Sequence, residues 1–257
     1  MFRTEGAQRQ DHHNQLLAGY LALVAGWVNS AGFILIGSFT SHVTGNVGRL
    51  ADNLALGSHG AAALAFTMIA AFFVGAFVAS MAIESDLLRR RPYVYGALLL
   101  AEAGLLAAFY VLAVTVASKN PRLQDSRALL LCAAMGLQNS LVTRLSGAVV
   151  RTTHLTGVVT DLGIEGARWF RFWRGRVSRK WRIRLTMGET PPARPHWPKS
   201  ALLLTIFASF LVGSGLGAAV AVALRQAALV VPFLLLVGGG VYALASRKEL
   251  VGEGSHK

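Results

Sequence analysis

Runs of about twenty apolar residues recur along this 257-residue chain, and they narrow its possible folds more than any other feature. A bilayer core holds no water to satisfy backbone N–H and C=O groups. Only helices and closed barrels can therefore cross it. The runs have the length of a spanning helix, about twice that of a tilted barrel strand. Composition agrees: 54% of residues are hydrophobic and 14% charged, against about 25% charged in a soluble domain. The expected fold is all-α, a polytopic transmembrane helical bundle.

The chain also repeats itself. Thr40-Ser41-His42-Val43-Thr44-Gly45 returns 112 residues later as Thr152-Thr153-His154-Leu155-Thr156-Gly157. Upstream, Gly26-Trp27-Val28-Asn29-Ser30 matches Gly136-Leu137-Gln138-Asn139-Ser140 at a spacing of 110. Downstream, Phe72-Phe73-Val74-Gly75-Ala76 matches Phe210-Leu211-Val212-Gly213-Ser214 at 138. Three ordered matches mark a tandem duplication. Repeat 1 covers about 14–116 and repeat 2 about 127–246, within one integral membrane domain, 1–257. The wider last spacing places a 26-residue insertion in the second half.

Taken in order, residues 1–16 form a polar tail, and no cleavable signal peptide is evident. A first span is expected over 16–38. Residues 40–58 are too polar to face lipid. Yet Val43, Val47, Leu50 and Leu54 draw an apolar stripe on a helix, with Ser41 or Thr44 as its N-cap. This reads as a short interrupted or re-entrant helix inside the protein. Spans are expected over 60–83 and 93–116, with a polar loop over 117–127. A fourth, unusually polar span follows over 128–149, then a second short helix to Gly166 and a basic loop, 168–199. The last spans cover 200–223 and 226–245, with Pro232 expected to kink the sixth. Six spans and two short helices result, three spans to each half. An odd number inverts the second copy, giving a three-plus-three inverted repeat.

Charge orients this arrangement. The net charge is +13, and residues 168–199 carry ten Lys/Arg against one acid, Glu189. An excess confined to one loop marks a cytoplasmic loop. It gives nucleic-acid binding no support. Both termini are then cytoplasmic. Trp169, Arg171, Trp173, Arg176 and Trp181 interleave aromatics with arginines, a pattern suited to anionic lipid headgroups at the membrane surface. Small residues spaced by four, Ala71-Gly75-Ala79 and Ser209-Gly213-Gly217, suit close packing between the halves; a homo-oligomer interface is the alternative.

The repeated hexapeptide is the candidate solute site. A helix start at membrane depth presents free N–H groups and a positive dipole end, suited to an anion or carboxylate. Thr40, Ser41, Thr44, Thr152, Thr153 and Thr156 add hydroxyls, Asn29, Asn46 and Asn139 add amides, and Gly45 and Gly157 allow close approach. The competing reading is that these residues only cap two buried helix ends. His42 and His154 are candidates for proton or ion coupling, or for neutral hydrogen bonding. Glu102, within the third span, and Asp161 are further coupling candidates, with Arg144 a possible partner for Glu102. Two histidines without clustered Cys or carboxylates make no metal site. No nucleophile–base set, cofactor motif or catalytic residue is evident, and the lone Cys132 excludes an intrachain disulfide.

Through Gly26 to Asn46, and through Gly136 to Gly163 with Arg151-Thr152-Thr153-His154-Leu155-Thr156-Gly157 and Thr160-Asp161-Leu162-Gly163, the chain resembles the YoaK-like family of bacterial integral membrane proteins, a family of unknown function. The resemblance covers nearly all of the chain and implies an inner-membrane protein without an assigned activity. It implies Asp where this chain has Asn29. The expected function is a small secondary transporter or channel for a small solute held between the halves. The alternatives are a membrane-embedded enzyme using His42 or His154, and a non-transporting scaffold or regulator using the basic loop.

Overall fold

A computed structural model of the chain describes residues 11–85, 93–115, 121–145, 152–180 and 195–245. Every regular element among them is helical. The first half holds α1 (Asp11–Ile36), α2 (Val43–Ala55), α3 (His59–Glu84) and α4 (Val94–Thr115). The second holds α5 (Pro121–Leu145), α6 (Leu155–Lys180), α7 (Trp197–Leu224), a 3₁₀ turn (Arg225–Leu229) and α8 (Val230–Ala245). Among the described residues, four segments are long and apolar enough to cross a membrane: 15–36, α3, α4 and the 49-residue run from Trp197 to Ala245. The last is two helices, because the chain breaks at Arg225 (φ 52°) and α8 packs on α4 and α1. Polar α5 is as long as a span but falls short in hydropathy.

Several boundaries differ from those expected. Helix α1 begins at Asp11, so the end of the polar tail is helical. Helix α5 begins at Pro121, inside the expected polar loop, since proline suits a first helical turn. Helix α6 does not stop near Gly166. It continues to Lys180, so the first part of the basic insertion is helix rather than loop. Arginine and lysine are good helix formers, and Glu165 pairs with Arg168 one turn on (2.6 Å). Pro232 produces no kink. It lies in the first turn of α8, where its missing N–H leaves no bond unmade. Residues 86–92, and residues 181–194 of the expected basic loop, lie outside the described residues.

Two helix pairs dominate the packing: α1 on α7 and α3 on α5. Each joins one half of the chain to the other, and each depends on glycine. A Cβ at Gly26 would strike the carbonyl oxygen of Phe210, and one at Gly213 that of Leu23. In the second pair a Cβ at Gly136 would strike the oxygen of Phe72, and one at Gly75 that of Ala133. These contacts correspond residue for residue at the sequence spacings of 110 and 138. Small residues let backbones meet where lipid supplies no hydrophobic drive for association. The first pair is parallel, since Gly19 meets Thr205 and Trp27 meets Gly217. The second is parallel too, with Gly75 at Ala133, Ser80 bonded to Ser140 (2.8 Å) and Glu84 paired to Arg144.

The direction of α5 follows from chain length. Helix α8 runs against α1, because Tyr20 donates to the Leu235 carbonyl and Trp27 Nε1 to that of Ala228 (2.8 Å). Helix α4 runs against α8, with Gly96 beside Gly240 and Leu106 and Tyr110 beside Leu229 and Phe233. So α4 and α1 point the same way. The link 116–120 reaches at most about 20 Å, well short of a 25-residue helix. Helix α5 therefore starts where α4 ends, and runs opposite to α1.

Alanine at Gly26 or Gly136 is expected to cost about 1–3 kcal/mol by overpacking. Alanine at Gly104, around which the space is open, is expected to cost nothing. Melting temperatures of the three variants in detergent measure the contrast.

Candidate functional site

The site is built from the two loops that follow the antiparallel helices α1 and α5. Helix α1 stops because Gly37 adopts φ 72° and its N–H closes on the Phe33 carbonyl (2.8 Å). The chain then folds back along α1. The Oδ1 of Asn29, about two turns before the helix end, accepts from the Ser41 N–H (3.2 Å) and the Ser41 hydroxyl (3.0 Å). In the second copy Thr153 Oγ1 donates to Asn139 Oδ1 (2.7 Å). Because α1 and α5 are antiparallel, the starts of α2 and α6 enter the bundle from opposite ends. Each is drawn back toward the middle of its own helix.

At both starts a histidine precedes the helix. Neither Ser41 nor Thr44 is the N-cap: His42 is, with no side-chain cap bond, while Ser41 is engaged by Asn29. Its carbonyl accepts the Asn46 N–H (3.1 Å), as the His154 carbonyl accepts that of Val158 (3.1 Å). The imidazoles lie over the first helical turn. A Cβ at Gly45 or Gly157 would strike Nδ1 of His42 or His154 respectively. The approach these glycines permit is that of their own histidine. His42, His154, Thr44 and Thr156 are exposed, and Phe39 meets the His42 ring edge-on (6.3 Å).

Beneath each helix start lies a threonine of the opposite character. Thr40 and Thr152 are 1% and 0% exposed, and the hydroxyl of each has no partner. Buried hydroxyls are nearly always bonded, so a matched pair of orphans is unusual. Thr40 packs on Gly32, where a Cβ would lie 3.0 Å from its methyl and 3.4 Å from Leu131 of α5. Gln138, next to Asn139, is fully buried with both amide atoms unpartnered. The sequence singled out the threonines but not Gln138, although its place in the repeated segment was the available signal.

Other candidates lie apart from the helix starts. Asn46 is the buried residue of α2, whereas Val47 and Leu54 of the apolar stripe are exposed. In a bilayer this orientation puts the apolar stripe toward lipid. Asp161 is half-buried on α6. Glu102 is fully buried in α4 with neither oxygen partnered. Arg144 does not reach it, being paired with Glu84 at the end of α3. Trp169 and Trp173 line a cleft between α6 and α7, and Arg171 is exposed. Arg176 lies on α6, and Trp181 is outside the described residues. Among the described residues, no three His, Cys, Asp or Glu side chains are grouped to hold a metal.

The model of one protein family, described as a protein of unknown function (DUF1275), matches residues 17–242. The chain belongs to that family. The match takes in both helix starts, α2 through α7 and most of α1 and α8. No curated protein and no solved structure matches the chain.

The Asp that the family resemblance implies at position 29 has a simple account in this geometry. Asn29 uses only its carbonyl oxygen, and a carboxylate would accept the same two bonds. Asn29→Asp is therefore expected to melt close to the parent protein. Asn29→Ala, which frees the loop, is expected to lose about 1–2 kcal/mol. Thermal unfolding in detergent separates the two.

Proposed function

We propose that this family member is a small secondary transporter or channel, built as a three-plus-three inverted repeat, that binds a small anion or carboxylate between its two halves. The observation that carries the reading is the matched pair of helix starts, each with an unpartnered buried threonine hydroxyl beneath it. Helix N-termini supply N–H donors and a positive dipole end. Inverted-repeat transporters place interrupted helices at the interface between repeats for this purpose. The correspondence of the glycine contacts in the two helix pairs supports the repeat, and the opposite directions of α1 and α5 support the inversion.

In this reading His42 and Thr44 meet the solute from one side, and His154 and Thr156 from the other. Thr40 and Thr152 bond it as it passes inward. Glu102 is the candidate for carrying a proton, as an acid fully buried within a span and without a partner. The basic helix α6 faces the cytoplasm under the positive-inside rule, in an inner membrane.

Threonine-to-valine changes separate binding from capping. Removing an unsatisfied buried hydroxyl should leave stability unchanged or raise it. Thr40→Val and Thr152→Val are therefore expected to fold normally yet reduce anion flux into proteoliposomes about tenfold, a loss of about 1.4 kcal/mol of binding. His42→Ala and Thr44→Ala are expected to reduce it as well. Full flux in all four variants would eliminate the site.

A further inference from the structure

The cleft between α6 and α7 has features that neither the fold nor the proposed solute path requires. Its volume is about 680 Å³, and it opens between Leu162, Glu165, Trp169 and Trp173 on α6 and Trp197 and Leu204 on α7. Trp173 and Trp197 are more than half exposed. Trp197 begins an apolar helix of spanning length, the place where tryptophan marks the headgroup level of a membrane. Trp169 is fixed at the back of the cleft. It stands edge-on to Trp197 (6.1 Å) and donates from Nε1 to Ser200 Oγ (3.1 Å).

The polar end of the cleft is built as well. The Glu165 side chain is 3% exposed. Its Oε1 accepts from both Arg168 (2.6 Å) and Lys199 (3.4 Å), while its Oε2 is buried with no partner. Burial pushes the carboxyl up, but the hydrogen bond from Lys199 and the Arg168 charge outweigh this and hold it below the usual carboxylate range. It is ionised at neutral pH, and the three side chains sum to one positive charge. Arg171 and Arg174 add two more on the exposed face of α6. The cleft thus offers one spare carboxylate oxygen for a hydroxyl and an aromatic wall for hydrocarbon, and Arg168 and Lys199, held by Glu165 at its edge, are cationic donors for a phosphate.

We propose that this cleft seats one anionic phospholipid with a hydroxylated headgroup, of the phosphatidylglycerol type. Arg168 and Lys199 hold the phosphate, Glu165 Oε2 accepts from a glycerol hydroxyl, and an acyl chain lies along Trp173, Trp197 and Leu204. Phosphatidylcholine carries neither net charge nor hydroxyl and fits less well.

Tryptophan quenching tests this with the full chain in bilayers of equal phosphatidylglycerol and phosphatidylcholine. A Trp181→Phe background removes the tryptophan outside the described residues. Only the bromine label moves, from the acyl chains of one lipid to those of the other, so bilayer composition never changes. Quenching is expected to be about twofold or more stronger when the glycerol lipid carries the bromine. Equal quenching in the two bilayers overturns the proposal, without reference to any variant. A triple variant, Glu165→Gln/Arg168→Gln/Lys199→Gln, removes the built charges together and leaves no buried charge unpaired. It is expected to abolish the difference. A preference that survives in it comes from the general charge of α6, and overturns the proposal too.

Discussion

The bundle depends on backbone meeting backbone at four glycines. In a membrane, apolar surface gains little by leaving lipid for protein, so helices must associate through close contact and hydrogen bonds. Gly26 and Gly213 bring α1 and α7 together, and Gly75 and Gly136 bring α3 and α5 together. Both pairs connect the first half of the chain to the second. Hydrogen bonds reinforce them at their edges, Ser214 to the Gly26 carbonyl (3.3 Å) and Ser80 with Ser140. The first helix of each half thus lies on the third helix of the other, and the halves cannot separate without losing the main contacts of both.

The loops within each copy position the helix starts. In each copy a residue ahead of the second helix returns to an asparagine of the first, Ser41 to Asn29 and Thr153 to Asn139. Asn29 and Asn139 hold these loops in place, and the histidine rings cover the glycines of the following turn. The helix starts therefore rest on side chains and on short contacts within each copy. What they leave unsatisfied is small: one threonine hydroxyl at each, with the Gln138 amide of α5 unpartnered as well. These orphans are what a solute would satisfy in the proposed function.

Much of this was legible in the sequence. The apolar runs located α1, α3, α4 and the 197–245 segment, and the drop in hydropathy after Gly37 located the α2 turn. The repeated His-x-Thr-Gly elements located the two helix starts, whereas Asn29 and Asn139 read as solute ligands and not as the anchors of Ser41 and Thr153. Less legible was which face of an element turns inward. The stripe Val43-Val47-Leu50-Leu54 marked an apolar face of α2 but not its direction: Val47 and Leu54 are exposed and Asn46 is buried. Ion pairing was equally hidden: depth suggested Glu102 for Arg144, whereas the parallel packing of α3 on α5 sets Glu84 beside it. The length of α6 was missed because basic composition was read as loop, and its cleft with α7 joins Glu165 to Lys199 across the insertion, beyond the reach of any local pattern.

The central claim is that the two halves are equivalent and point in opposite directions. Ser58 and His196 are equivalent positions, the N-caps of α3 and α7, and both are exposed. The lone native cysteine, Cys132, is fully buried, so a single introduced cysteine gives a clean signal. Labelling Ser58→Cys and His196→Cys in intact cells with a membrane-impermeant maleimide is the direct measurement. The account predicts that Ser58→Cys reacts from outside, and that His196→Cys reacts only after the membrane is permeabilised. Reaction of both from the same side would contradict it.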